Sequence, residues 1–319
     1  MKHALILHNP VSENSRDDEL DVLNQAELIE DALIQLGYTS ERMAFGLNYN
    51  KLGKLLKDKS ISVVFNLVET IGNAGRLSFI APAILELTGV PFSGSGAETI
   101  FITTDKVICK KILTFNAINT PDWTRKITEI KPEMIYIPKP ISEDGSVGID
   151  DILTIRGNEV KEIPQGYFLE EYIHGREFNI SVIGGENRIQ VLPPAEMCFE
   201  DNYFETKPHI LGYKAKWDEA SMEYKNTTRS FQFDNSDVSL IETLIKISVR
   251  CWEIFGLRGY ARIDFRIGND GIPWVIEINA NPCIAPDSGF VAACHEAKME
   301  NVEIIKRIIE DAKQYSGRI

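Results

Sequence analysis

The sequence predicts a mixed α/β (α+β) protein with a parallel sheet near its N-terminus and antiparallel strands toward its C-terminus. Over roughly the first hundred residues, short apolar strands alternate with helical stretches, which implies a parallel α/β sheet. Residues 259–282 hold two alternating strands joined by strong turn chemistry, which implies an antiparallel hairpin. The chain has 319 residues, too many for one small core and suited to two or three packed subdomains.

Taken in order, residues 3–8 form a short apolar strand, and residues 20–36 carry helical periodicity that stops at Gly37. Residues 61–68 read as a second buried strand, and residues 77–87 as a helix closed by Gly89. Val90, Pro91 and Phe92 enter a Gly/Ser loop as a strand, and residues 103–115 read as one helix. Residues 135–140 and 167–173 read as strands around a Gly-containing loop. An irregular polar stretch from 199 to 230 precedes a helix over 238–255, the hairpin, and a last helix over 300–315.

Hydrophobic residues make up 44% and charged residues 25%, an ordinary globular balance that does not suggest disorder. A net charge of -13 argues against a nucleic-acid partner, which needs a basic patch. The apolar run at the N-terminus is too short for a signal peptide, and no run reaches the length of a membrane span. The five cysteines are scattered and odd in number, which suggests a reducing compartment without a zinc site; a cytoplasmic location is expected.

The hairpin is the most informative stretch. Arg262, Asp264 and Arg266 alternate with Ala261, Ile263 and Phe265 on its first strand. Glu277 and Asn279 share a face of the second, with Trp274, Ile276 and Ile278 expected opposite. Gly268, Asn269, Asp270 and Gly271 form the turn. Two carboxylates and an amide oxygen make a hard ligand set suited to Mg2+, with phosphate oxygens completing the shell. The neighbouring Arg262 is the right group for an anion that develops during reaction. A solvated polar strand face explains any one of these residues, but not all of them at this spacing. The hairpin therefore reads as a nucleotide–metal site.

Other signals are weaker alone. Gly145, Ser146 and Gly148 lie between strands and can fold over polyphosphate, although Asp-Gly-Ser is also an ordinary turn. Lys139, just upstream, is placed to meet an α- or β-phosphate. Lys106 opens a helix after Asp105, where a surface lysine beside an N-cap is the commoner case. Glu170, Glu171 and the backbone near Ile173 end an apolar strand with acceptors suited to an adenine amino group, and Glu177 is placed for ribose hydroxyls.

Together these residues resemble the ATP-grasp superfamily and, within it, the D-alanine–D-alanine ligase group. The matching elements are Pro91 to Gly96 with Asp105 and Lys106, then Lys139 and Pro140, then residues 170–177. Residues 213–217, 259–264 and 277–282 complete the set in the family's order. The resemblance implies an N-terminal α/β domain over 1–97, a central lid subdomain over 98–178 and a C-terminal catalytic subdomain over 179–319. It implies that Lys106, Lys139 and Ser146 hold ATP phosphates, that Glu170, Glu171 and Ile173 meet adenine, and that Glu177 meets ribose. Lys216 would reach the transferred phosphate from a mobile loop, and Arg262 would stabilise the tetrahedral intermediate. Asp264, Glu277 and Asn279 would hold two Mg2+ ions, with Mn2+ able to substitute. Ser288 and Gly289 fall where the family binds a substrate carboxylate. A homodimer is the usual assembly of the group.

The departures lie elsewhere. Where the family's ligases carry Gly-Gly-x-Ser with a glutamate after the first strand, this chain has His8, Asn9, Pro10, Val11, Ser12 and Glu13. Their His-Gly-x-x-Gly-Glu-Asp-Gly loop is replaced here by residues 67–76, which include Glu69 and Arg76. Trp217 follows Lys216 where tyrosine is common, and Cys283 follows Pro282 where glycine is usual. Glu13, Glu69, Arg76 and Trp217 thus become candidates for substrate recognition. The expectation is an ATP-dependent carboxylate–amine ligase acting through an acyl phosphate on an amino-acid-like pair other than two D-alanines. A D-alanine–D-alanine ligase of cell-wall synthesis, a kinase-like enzyme that stops at the phosphorylated substrate, and a non-catalytic ATP binder are the alternatives.

Overall fold

A computed structural model describes residues 2–46, 49–58, 61–143, 154–185, 188–205 and 207–315. The N-terminal part contains β1 (Lys2–His8), α1 (Asp17–Gln35), β2 (Tyr38–Ala44), α2 (Tyr49–Asp58) and β3 (Ile61–Leu67). The three strands pair in parallel in the order β2-β1-β3. Both faces of this sheet are covered, as parallel sheets require. Leu5, Leu7 and Val64 pack toward Met43, Phe45, Leu52 and Leu85, while Ala4, Ile6 and Phe65 pack toward α1 and the C-terminal helices. The sequence reading missed β2, whose polar residues hide its periodicity, and α2, although Leu52, Leu55 and Leu56 fall at helical spacing.

Next come α3 (Ile80–Thr88), α4 (Ala97–Thr104) and α5 (Lys106–Phe115). The expected strand at Val90 to Phe92 is a single bridge, Val64 to Phe92, because Pro91 has no N–H to extend a ladder. The expected single helix over 103–115 is broken at Asp105, whose extended backbone lets its carboxylate accept from the N–H groups of Val107 and Ile108. That break aims Lys106 inward.

The lid sheet is antiparallel, in the order β4 (Trp123–Thr124), β7 (Tyr167–Glu171), β5 (Ile135–Pro140), β6 (Ile155–Arg156). The largest sheet runs β11 (Thr227–Ser230), β10 (Ala195–Phe199), β8 (Gly175–Ile183), β12 (Tyr260–Gly268), β13 (Pro273–Asn279), with β9 (Gln190–Val191) on β8. One face packs on α9 (Val238–Ile254) through Ile180, Val182, Ala261, Ile263 and Phe265. The stretch expected to be irregular contains the short helices α6 (Asp201–Phe204), α7 (Tyr213–Trp217) and α8 (Met222–Lys225) besides β11. The chain closes with α10 (Gly289–Glu296) and α11 (Asn301–Tyr315).

The 259–282 hairpin is antiparallel as expected, with Arg262 opposite Asn279 and Asp264 opposite Glu277. A bulge after Asp264 corrects one expectation: Arg266 faces Trp274, so Trp274 lies on the polar face, while Val275 joins Ile278 in the core. An inserted residue reverses the alternation beyond it. Gly259 starts the hairpin at φ +65, and a Cβ there would stand 2.7 Å from the Gly94 nitrogen. Only glycine allows that approach of the hairpin to the Gly/Ser loop.

Candidate active site

The polar face of the large sheet gathers the chemistry, since residues directly opposite in a ladder share a face. Arg262 forms a fork to Asp264, Nε to Oδ1 at 2.7 Å and Nη2 to Oδ2 at 2.8 Å. Burial opposes the charge on Arg262, but Asp264 overrides it and raises the guanidinium pKa. Lys106 reaches across from α5 to Glu277 Oε1 at 3.0 Å and also donates to the Glu143 carbonyl at 2.8 Å. Lys106 is therefore no surface lysine; it is 7% exposed. Burial would raise the Glu277 carboxyl pKa, yet Lys106 and Lys216 hold it well below the usual range. Lys216, on α7, sits over the same cluster: burial and then Arg262 lower its pKa, against the attraction of Glu277, Asp264 and Glu177. Asn279 Oδ1 accepts from the Asn281 N–H at 3.0 Å.

At the lid end, Glu170 is 1% exposed and lies between two lysines. Lys139 pairs with Oε1, and Lys110 approaches Oε2 at 2.6 Å. Burial alone would push the Glu170 carboxyl up, but the two ammonium groups outweigh it and hold it low. Lys110 carries no signal in the sequence beyond helical spacing four residues after Lys106. Arg266 donates to the Ile173 carbonyl at 3.0 Å, to Glu177 at 3.2 Å and to the His209 carbonyl at 2.7 Å. Glu177 is buried, and burial raises its pKa despite Arg266. Glu171 is half-buried at the end of β7, its N–H donating to the Asp122 carbonyl. Ser146 lies outside the described residues.

The substrate candidates fare unequally. Glu69 follows β3, its N–H donates to Asn9 Oδ1 at 2.8 Å, and its carboxylate acts on Tyr260 and Cys283 beside the hairpin. Trp217 is half-buried next to Lys216, and Ser288 caps α10, its Oγ accepting from the Val291 N–H at 3.3 Å. Gly289 opens that helix. Glu13 and Arg76 are exposed and form no ion pair with the cluster among the described residues. Instead α1 brings two other acids against the catalytic parts. Tyr213 donates to Asp18 at 2.8 Å, and Cys283 donates its thiol proton toward Asp21 at 2.9 Å. Burial and then Asp21 push the Cys283 pKa up, so the thiol stays protonated and inert.

The donor set fits MgATP. Asp264 and Glu277 stand opposite one another with an amide oxygen one pair away, and hard oxygen donors suit Mg2+. Among the described residues no group of three His, Cys, Asp or Glu side chains could hold a metal. Such a set needs phosphate oxygens to complete it. Arg266 Nη2 is buried with no hydrogen-bond partner among the described residues, beside the expected nucleotide contacts Ile173 and Glu177. A polar group left so is costly unless an acceptor arrives.

The lid sheet, the cation-lined cleft and the acidic hairpin define an ATP-grasp enzyme, an ADP-forming ligase that makes carbon–nitrogen bonds. The D-ala D-ala ligase C-terminus family matches residues 112–310, and the chain belongs to the D-alanine–D-alanine ligase family. A D-alanine–D-alanine ligase of Aquifex aeolicus is 27% identical over 308 residues, covering 92% of this chain and 97% of the relative. An uncharacterized protein of Sinorhizobium fredii is 30% identical over 274 residues, covering 81% of this chain and 77% of the relative. A crystal structure of the Bacillus anthracis D-alanine–D-alanine ligase superposes with a TM-score of 0.74 at 23% identity over 98% of each chain. Another of that enzyme, complexed with ATP, gives 0.72 at 21% identity. No described helix is long and apolar enough to cross a membrane.

Proposed function

We propose that this ligase joins a carboxylate to an amine on an amino-acid-like pair that differs from two D-alanines. The observation that carries the chemistry is the convergence of Lys106, Lys216 and Arg262 on Asp264 and Glu277. Asp264, Glu277 and Asn279 would hold the metal, two Mg2+ or Mn2+ ions, which supplies charge neutralisation at the phosphates. Lys106, Lys139 and Lys216 position the ATP phosphates. Glu171 and Ile173 take the adenine, with the buried Glu170 acting through the lysines it holds, and Glu177 takes the ribose. The donor carboxylate attacks the γ-phosphorus and ADP leaves. The amine then displaces phosphate from the acyl phosphate, and Arg262 meets the charge on the carbonyl oxygen. Trp217 and the 199–230 segment keep water from the acyl phosphate.

Glu69, Glu13 and Arg76 are proposed to select the donor, with Ser288 and Gly289 meeting the acceptor carboxylate. What supports an altered pair is the sequence of the loop after β3, which lacks the family's pattern and is tied by the Glu69 N–H to Asn9 of the equally altered loop after β1. The named relatives favour the alternative, a D-alanine–D-alanine ligase. The division into 1–97, 98–178 and 179–319, a homodimeric assembly and a cytoplasmic location belong to the same proposal. The test is ADP release with MgATP against D- and L-amino acids and dipeptides, singly and in pairs. Silence with D-alanine but turnover with another pair is expected. Turnover with D-alanine alone, yielding the dipeptide by mass, selects the alternative.

A further inference from the structure

Arg229 stands on the active face without a counter-ion. It lies on the edge strand β11, opposite Met197, which is opposite Glu177, which is opposite Arg266. Ladder partners share a face, so Arg229 projects on the same side as Arg262, Asp264 and Glu277. Its guanidinium reaches toward the start of α10, with Nη2 3.5 Å from where a Cβ of residue 289 would stand. Gly289 leaves that space open.

The other cations of this face are balanced differently. Arg262 is committed to Asp264, Arg266 to Glu177, and Lys106 to Glu277. The Arg229 side chain makes no hydrogen bond or ion pair within the described residues. Arg229 is exposed; partial desolvation, then Arg262, lower its pKa, and the exposed Asp287 attracts it without an ion pair among the described residues. The electrostatic neighbours of Arg229 are thus Arg262, Asp287 and Tyr224, whereas those of Lys216 include Glu177 and Glu277. The Arg229 guanidinium approaches Gly289 at the start of α10, where the acceptor carboxylate is proposed to bind. Two guanidinium groups on one face repel unless an anion sits between them, and arginine favours carboxylates because its fork matches them.

We propose that Arg229 selects an acceptor amine bearing an anionic group beyond its α-carboxylate, the acidic side chain of a dicarboxylic amino acid. This rests on the ligase reading above and adds the acceptor's class to it. An acidic side chain that pairs with Arg229 is favoured over its neutral isostere by a charge-assisted, forked hydrogen bond that an amide cannot match.

The test compares D- and L-aspartate and glutamate with asparagine, glutamine and D-alanine as acceptors, in wild type, R229Q and R229K. Arg229 sits on an edge strand outside the apolar clusters, and equal thermal midpoints check that the variants fold. In wild type, kcat/KM for an acidic acceptor should exceed that for its amide at least tenfold. R229Q should lose that preference through KM for the acceptor with KM for ATP unchanged, and R229K should restore part of it. Ligation in which R229Q and wild type use neutral and acidic acceptors alike overturns the role of Arg229 and leaves the ligase standing. No turnover with any pair overturns the ligase reading and this proposal with it.

Discussion

Arg262 is held in place by the carboxylate it shares a strand with, so its guanidinium is aimed before any substrate arrives. Replacing it with methionine should cost about 10²–10³ in kcat, the usual loss for one donor to a developing oxyanion. Nucleotide affinity, measured by equilibrium binding of ADP, should change less than threefold, about 0.6 kcal/mol. Residues of this kind were legible because alternation at period two is local. Arg262, Asp264, Glu277 and Asn279 lie on one face as their spacing requires. Trp274 was misplaced because a bulge leaves no mark in the pattern. Asp18 was invisible for another reason: its partner Tyr213 is 195 residues away. Arg229 was silent because nothing nearby in sequence says which edge strand crosses the site.

Three elements, α5, β5 and β7, are tied together by Lys110, Lys139 and Glu170. K110M leaves Glu170 paired with Lys139 but takes the ammonium group from its buried Oε2, so it should destabilise the protein by about 2 kcal/mol in denaturant titration. The pH dependence has a definite sign. Glu170 has a lowered pKa in the folded state, so its contribution is present above the ordinary glutamate range and is lost as pH falls through the lowered value. Wild-type stability should therefore drop below about pH 4, the ordinary range for a glutamate, more steeply than that of K110M. Helix–strand alternation was readable at this scale, but the break between α4 and α5 was not. Asp105 was legible as a cap before Lys106, but apolar spacing continues across it, so the separate helix α4 ending at Thr104 was not.

Across the whole molecule, N-terminal and C-terminal parts share an apolar cluster and add polar contacts beside the catalytic residues. Tyr213 bonds Asp18, Asn281 donates to the Asn66 carbonyl at 3.4 Å, and Gly259 lies on Gly94. The first of these links the segment bearing Lys216 to α1. Y213F should loosen the cover and admit water, raising ADP release without amine severalfold relative to amide formation; coupled ADP and product assays read that ratio. The order of parallel, lid and catalytic sheets follows the resemblance read from the motifs. How those sheets meet depended on contacts between distant segments.

The most direct test of the central claim follows oxygen. With the donor carboxylate labelled with 18O, an acyl phosphate requires one labelled oxygen to leave in inorganic phosphate for each amide formed. Label in the phosphate at that ratio, found by mass spectrometry, is the predicted result. Unlabelled phosphate alongside amide product would contradict the account.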